Sequence, residues 1–431
     1  METKTYKKIA VEISRVILGI TFIFSGFVKA VDTWGGAYKI QDYFSAFELP
    51  NLHFLALPLS FLQAAVEFGV GACLLIGIYR RFNSILVLII MLFMTPLTLY
   101  LAIANPVSDC GCFGDALVIT NWQTFYKNIV LLIAAIIVFM WYRKMYHCFT
   151  RKGYFLATLW IYLFITGVSF YCFYYLPVFD FRPYKIGANI PEKMKMPENA
   201  KHDVYEVRLI YSKDGQQKEF TMQNYPKDDS TWTFVDSKSR LIQKGDQPAI
   251  HDFSITDSTG AEITDAILSN PSYTFLLIAR KLNKASDTNV DKINDIYDFS
   301  KAKGYGFYTL TSSLPDEIKE WTANTGAEYP FCTTDDITLK TIIRSNPGLL
   351  LIKNGTVIDK WPNTRLPNTG DLTKLIAETD KGKAPTTHNF CTLASLKIIF
   401  LVPLIALFLL DFFYYRKKGK KTQKMNNNKV K

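Results

Sequence analysis

Runs of about 20 predominantly apolar residues recur six times along this chain, at roughly 9–31, 57–78, 84–104, 122–142, 154–176 and 393–414. At 1.5 Å per residue, a helix of that length crosses about 30 Å of hydrocarbon. A helix also closes its backbone hydrogen bonds within itself, which lipid demands of anything that spans it. The chain is therefore expected to cross a membrane six times. One long polar segment, 177–392, is left outside the bilayer.

The net charge of +11 raises the question of nucleic acid, and its distribution answers it. Basic residues gather at alternate ends of the apolar runs: Lys4, Lys7, Lys8 and Arg15; Arg80 and Arg81; Arg143, Lys144, Arg151 and Lys152; and eight more in the tail 415–431. Those segments hold 18 basic and two acidic residues, so the rest of the chain is net acidic. Such alternation follows the positive-inside rule, and it puts both termini in the cytoplasm. The basic tail is expected to lie against anionic lipid, and no nucleic-acid partner is expected. Loops 32–56 and 105–121 and the segment 177–392 then face the opposite compartment. The first apolar run is too long for a signal-peptide core and lacks a small-x-small cleavage site before Val31, so it is expected to be retained.

Under this topology the seven cysteines sort by compartment. Cys148 is cytoplasmic and Cys73 lies within the second span. Cys172 lies near the outer end of the fifth span, and Cys110, Cys112, Cys332 and Cys391 are outside, where disulfides persist. Pairing does not follow from sequence. The tightest motif is Cys110-Gly111-Cys112. A disulfide within it closes a small ring away from relaxed geometry, and is more oxidising than a structural bridge. The competing readings are a static loop disulfide and a pair of thiols; a metal site is not expected, with no His nearby. Cys172 and Cys391 share the depth of this pair, which suggests a relay among the four; ordinary packed thiols are the alternative. Cys332, on an apolar strand, reads as core.

Glu67 falls about ten residues into the second span, so ~15 Å deep. A carboxylate there is costly and marks either function or a buried polar latch between helices. Gln63 stands one turn away, and Lys29 near the outer end of the first span is the nearest basic candidate. A quinone or proton site centred on Glu67 is one reading of this trio. His147 and His388 lack metal-ligand spacing, and no phosphate loop or serine-nucleophile context occurs.

Several stretches carry family resemblances. Arg15-Val16-Ile17-Leu18-Gly19, Phe22, Ser25-Gly26-Phe27-Val28-Lys29, Asp32, Glu67, Cys110-Gly111-Cys112-Phe113-Gly114, Trp122, Thr124 and Asn128 resemble the DoxX-like superfamily and, within it, the methylamine-utilisation protein E (MauE) family. The resemblance covers about a third of the chain. It implies a four-helix membrane unit of the kind implicated in maturing a disulfide-dense periplasmic enzyme, without implying a role in methylamine metabolism. The unit also looks like vitamin K epoxide reductase, which exchanges disulfides with a quinone; that enzyme uses Cys-x-x-Cys where this chain has Cys-x-Cys. In the outer segment, Phe253-Ser254-Ile255-Thr256-Asp257, Gly260, the strand ending at Ala279, Asp335, and Pro347 before a Lys-Asn-Gly hairpin resemble thioredoxin-like folds of the TlpA and peroxiredoxin type. The place of their Cys-x-x-Cys reads Arg280-Lys281-Leu282-Asn283-Lys284-Ala285-Ser286-Asp287, so the usual dithiol chemistry is ruled out there.

The expected fold is an α-helical membrane bundle with an extracytoplasmic α/β thioredoxin-like domain. Residues 1–145 form the four-helix unit and 146–177 the fifth span. A β-rich segment, 178–270, includes a hairpin (205–222) and short strands at 232–235 and 250–255. The α/β domain occupies 271–380, where strands and helices alternate before an Asn-Gly hairpin. The sixth span is 393–414 and the basic tail 415–431. The leading functional expectation is thiol–disulfide handling, or maturation of exported proteins, at a bacterial inner membrane. Cys110 and Cys112 would be the exchanging pair, serving periplasmic client proteins with dithiols. The alternatives are a non-catalytic scaffold that binds an envelope partner through the outer domain, and a quinone- or small-molecule-binding bundle around Glu67. No cofactor is evident in the sequence; a quinone is the one such a bundle would admit.

Overall fold

A computed structural model describes the chain except residues 1, 108, 152, 197–199, 201–203, 214–215, 222, 228, 230, 244, 246, 385–388 and 430–431. Side chains of 2–4, 204–206, 240–243, 389–391 and 415–429 also lie outside the description. Six helices among the described residues are long and apolar enough to cross a membrane. They are α1 (Glu2–Val31), α3 (Ala56–Ile76), α4 (Arg80–Ala104), α5 (Asn121–Trp141), α6 (Gly153–Tyr174) and α13 (Asn389–Lys429). The expected first loop holds a further helix, α2 (Thr33–Ala46), begun by Asp32, whose carboxylate accepts from the Gly35 amide.

Why α1 and α3 lie so close is visible at Gly26. A Cβ there would run into the Ala64 carbonyl and the Phe68 backbone. Small residues let membrane helices approach, because packing replaces the hydrophobic drive that lipid removes. One apolar cluster joins α1, α3, α4 and α5 through Leu18, Phe22, Val70, Leu74, Met91 and Leu131. A second packs α6 and α13 against α1 and α3, through Phe68, Ile161, Phe164 and Phe400.

After α6 the chain passes through α7 (Ile190–Met194) into a separate antiparallel sheet of β1 (Val204–Lys213), β2 (Gln216–Thr221) and β3 (Thr233–Gln243), ordered β2-β1-β3. The turn expected at 213–215 falls partly outside the described residues. The strand expected at 250–255 does not form. Ile250, Phe253 and Ile255 are buried, but they pack under the next domain instead of joining a ladder. Their pattern reflects one-sided burial, which irregular backbone can also satisfy.

That domain contains α8 (Thr264–Leu268), β4 (Tyr273–Ile278), α9 (Val290–Lys303), β5 (Gly306–Thr311), α10 (Pro315–Thr325), β6 (Phe331–Thr333), α11 (Asp336–Ile342), β7 (Gly348–Lys353), β8 (Thr356–Pro362) and α12 (Thr369–Asp380). The sheet order is β6-β5-β4-β7-β8. β4, β5 and β6 are parallel, and β7 and β8 run antiparallel to them as a hairpin. Every residue of β4 is buried, because helices cover both faces of the sheet. Tyr273, Phe275 and Leu277 face one core and Leu276 and Ile278 the other. A parallel β4-α9-β5 crossover, an antiparallel hairpin entered through a cis Asn346–Pro347 bond, and a closing helix make this a thioredoxin-like domain.

The linker after α6 is tied to the domain by buried charge. Lys360 Nζ donates to Asp180 Oδ2 (2.9 Å), the Tyr184 carbonyl (3.2 Å) and the Ile342 carbonyl. Burial pulls the Lys360 ammonium down to about 8, against the pull of Asp180.

Candidate functional site

The site grows from the C-terminal end of α1 and the middle of α3. Ser25 and Lys29 stand one turn apart on α1, and Gln63 and Glu67 one turn apart on α3, so each pair shares a helix face. The close approach at Gly26 brings the two faces together. Glu67 Oε2 lies 2.7 Å from Lys29 Nζ and 2.6 Å from Ser25 Oγ, and Oε1 accepts from Gln63 Nε2 at 2.9 Å. Lys29 uses its other donors on Ser25 Oγ (2.8 Å) and on the Cys112 carbonyl (2.9 Å). Ser25 Oγ also lies 2.6 Å from that carbonyl. The ammonium is almost fully enclosed, with 7% of its side chain exposed. Three filled donors and an opposite charge are what a buried ammonium needs.

Through Lys29, this network holds the loop between α4 and α5. Gly111 takes φ +65°, which favours glycine, and its amide donates to Asp109 Oδ1 at 2.8 Å. Asp109 Oδ2 in turn holds Lys39 Nζ of α2 at 3.0 Å. Tyr43 OH donates to the Cys110 carbonyl at 2.9 Å. Cys110 and Cys112 place their sulfurs in direct contact, with Cα atoms 5.5 Å apart, within the span a disulfide bridges. Cys110 is buried and Cys112 half-buried. The Cys112 amide lies 3.2 Å from Cys110 Sγ, and Thr124 Oγ1 lies 3.7 Å from it. Phe113 packs on Phe24, with Lys127 Nζ 4.2 Å from its ring centre.

Cys110 and Cys112 line a pocket of about 60 Å³ inside the bundle, together with Ser25, Lys29, Gln63, Glu67 and Lys127. The structure thus gathers five of the sequence-predicted residues (Cys110, Cys112, Glu67, Lys29 and Gln63) around one small space. Cys172 is not among them. It is buried in the cluster formed by α1, α3, α6 and α13, whereas Cys110 packs with Leu101 and Val107. The side chain of Cys391 lies outside the described residues. Cys332 is buried in the α/β core, and burial raises its thiol to about 11. No cluster of three or more metal-binding side chains occurs among the described residues.

Sequence reasoning did not single out Asp115, Tyr38 or Arg344. Arg344 lies two residues past α11 and pairs with Asp32, 312 residues away, through Nε (3.0 Å) and Nη2 (2.8 Å). Burial alone would raise the Asp32 carboxyl, but the Arg344 guanidinium overcomes it and holds the group below its usual value. Asp115, in the loop between α4 and α5, is pushed up by its own burial and by Asp32. Asp32 appeared in the sequence only as part of a motif, and nothing marked Arg344 as its partner.

Comparisons with known proteins follow these boundaries. Residues 7–141 match the family described as methylamine utilisation protein MauE. Residues 205–244, the small antiparallel sheet, match a domain of unknown function (DUF8463). No curated protein matches the chain. A solved structure titled "Solution structure of a putative protein disulfide isomerase from Bacteroides thetaiotaomicron" aligns at 17% identity, covering 30% of this chain and 84% of that one, with a TM-score of 0.25. The chain thus joins a membrane unit that matches the MauE family over residues 7–141 to an α/β domain whose sheet topology is thioredoxin-like.

Proposed function

We propose that this membrane protein exchanges disulfides with client proteins through Cys110 and Cys112, on the exported side of a bacterial cytoplasmic membrane. The observation that carries the reading is the contact of the two sulfurs at the rim of the bundle, in a loop whose Cys112 carbonyl is gripped by Lys29 and Ser25. The alternation of basic segments supports cytoplasmic termini and an exported α/β domain.

In the exchange, a client thiolate attacks Cys112 Sγ, the more exposed sulfur. The Cys110–Cys112 bond breaks, a mixed disulfide forms, and Cys110 leaves as a thiolate. The Cys112 amide at 3.2 Å is placed to donate to that thiolate. A second client thiolate then attacks the client sulfur of the mixed disulfide. The client is left oxidised and both loop cysteines reduced; run backwards, the same steps reduce a client. The loop that directly follows β4 carries no cysteine and the domain's Cys332 is buried, so the exchange is assigned to the loop pair alone.

A bundle that binds a quinone around Glu67 draws on the same pocket. That pocket is about 60 Å³, and no step is assigned to a quinone there. The scaffold reading has no observation of its own to favour it.

Trapping tests the proposal. With Cys110→Ser, the Cys112 thiolate attacks a client disulfide and displaces one client thiolate; without Cys110 to attack Cys112 Sγ and release the client, mixed-disulfide conjugates should accumulate. With Cys112→Ser, buried Cys110 should trap few. Equal absence of conjugates from both variants, with a pair whose redox state never changes in cells, would sink the exchange reading.

A further inference from the structure

Three cations of the α/β domain converge on one ring of the membrane unit. Arg280, Lys340 and Arg344 place their charged ends 5.5, 5.4 and 5.3 Å from the centre of the Tyr38 ring on α2. Arg344 is almost fully enclosed, and besides Asp32 it reaches Asp115 of the redox loop at 3.4 Å. Arg280 stands just after β4, where a thioredoxin-like domain would carry its dithiol. The Arg280 end of that face is therefore turned onto the membrane unit.

The two sides of the cysteine pair are unequal in consequence. Between the domain and the loop lies a cleft of about 520 Å³, lined by Gly111 and Gly114 but by neither sulfur. The stem of Lys39 lies against Gly111, and its ammonium is pinned by Asp109. Cys110 and Cys112 instead line the pocket inside the bundle.

We propose that the α/β domain is a cap acting on its own chain. Docked on Tyr38 and Asp32, it shuts the outer approach to the pair and leaves the sulfurs facing the bundle. Lifted away, it opens the Gly111 side of the loop to a client. Arg344 is the positioning residue, since it ties the domain to both Asp32 at the start of α2 and Asp115 of the redox loop. The cap regulates the exchange site and gains its purpose from that reading, but its geometry can be tested separately.

The test uses the full chain carrying Cys110→Ser, so that Cys112 is the loop's one thiol. The rate at which a membrane-impermeant maleimide modifies Cys112 is read on the Cys112 peptide by mass spectrometry. Adding Arg344→Gln should raise that rate about tenfold or more, the change expected from losing one desolvated ion pair. Arg344→Lys should keep most of the protection. Tyr38→Leu removes the docking ring without touching a charge and should also speed labelling. Unchanged rates in both Arg344→Gln and Tyr38→Leu would overturn the cap. That result would leave the exchange reading standing, because trapping of clients by the loop does not depend on it. Faster labelling of a pair that never exchanges would keep the cap and discard the exchange.

Discussion

Replacing Lys29 with methionine probes the polar network beneath the cysteine loop. Lys29 Nζ and Glu67 Oε2 are 2.7 Å apart, with side-chain exposures of 7% and 15%. At that distance the Coulomb attraction is about 6 kcal/mol for an effective dielectric of ~20. Desolvating the two ions offsets several kcal/mol of it, so the pair by itself stabilises little. Breaking it is another matter. Lys29→Met leaves a carboxylate at membrane depth with only Ser25 and Gln63 for support, and a loss of about 3–5 kcal/mol is expected. Glu67→Gln strands the ammonium and should cost a comparable amount. The double variant strands neither charge, so it should be more stable than the summed single losses by about 2–3 kcal/mol. Equilibrium unfolding of the four proteins by denaturing detergent in mixed micelles measures the cycle. Additivity to within ~0.5 kcal/mol would refute the coupling, and with it the idea that this pair anchors the Cys112 carbonyl.

Two further outcomes follow from packing and charge. Gly26→Val would push α1 off α3 and separate Lys29 from Glu67, costing about 1–3 kcal/mol from overpacking alone, measured in the same detergent titration; an unchanged midpoint would contradict the close approach. The Asp32 carboxyl is held below its unfolded value of 3.8, so its contribution to docking should be fully present above that pH and lost as pH falls through the lower folded value. Spin-label distances between α2 and α11, followed from about pH 7 to pH 2.5, should stay constant until the acid end; opening between about pH 5 and pH 7 would show that another group controls the contact.

Much of the architecture was legible because its causes are local. Each membrane span is written in a single run of apolar residues, whose length matches the bilayer. The α/β domain is written in β4, whose unbroken apolar stretch demands cover on both faces, and in the Lys353-Asn354-Gly355-Thr356 turn that forces β7 back as β8. Glu67 drew attention because a carboxylate at that depth is expensive wherever it points. The stretch 250–255 misled for the same local reason: its apolar Ile250, Phe253 and Ile255 suggest a strand, but burial against a neighbouring sheet satisfies them without a ladder.

Sequence by itself determined the membrane class, the number of spans, the thioredoxin-like domain and the absence of a dithiol after β4. Tertiary structure alone decided which charges meet. Gly26 sets the distance between two helices and so converts Lys29, Ser25, Gln63 and Glu67 from separate polar residues into one clamp on the Cys112 carbonyl. Arg344 finds Asp32 across 312 residues, and Tyr38 collects three cations from elements that follow it by more than 200 positions. Such contacts depend on how rigid units dock. No periodicity encodes that, because it is set by the shapes and charges of two surfaces that are each assembled only after the chain has folded.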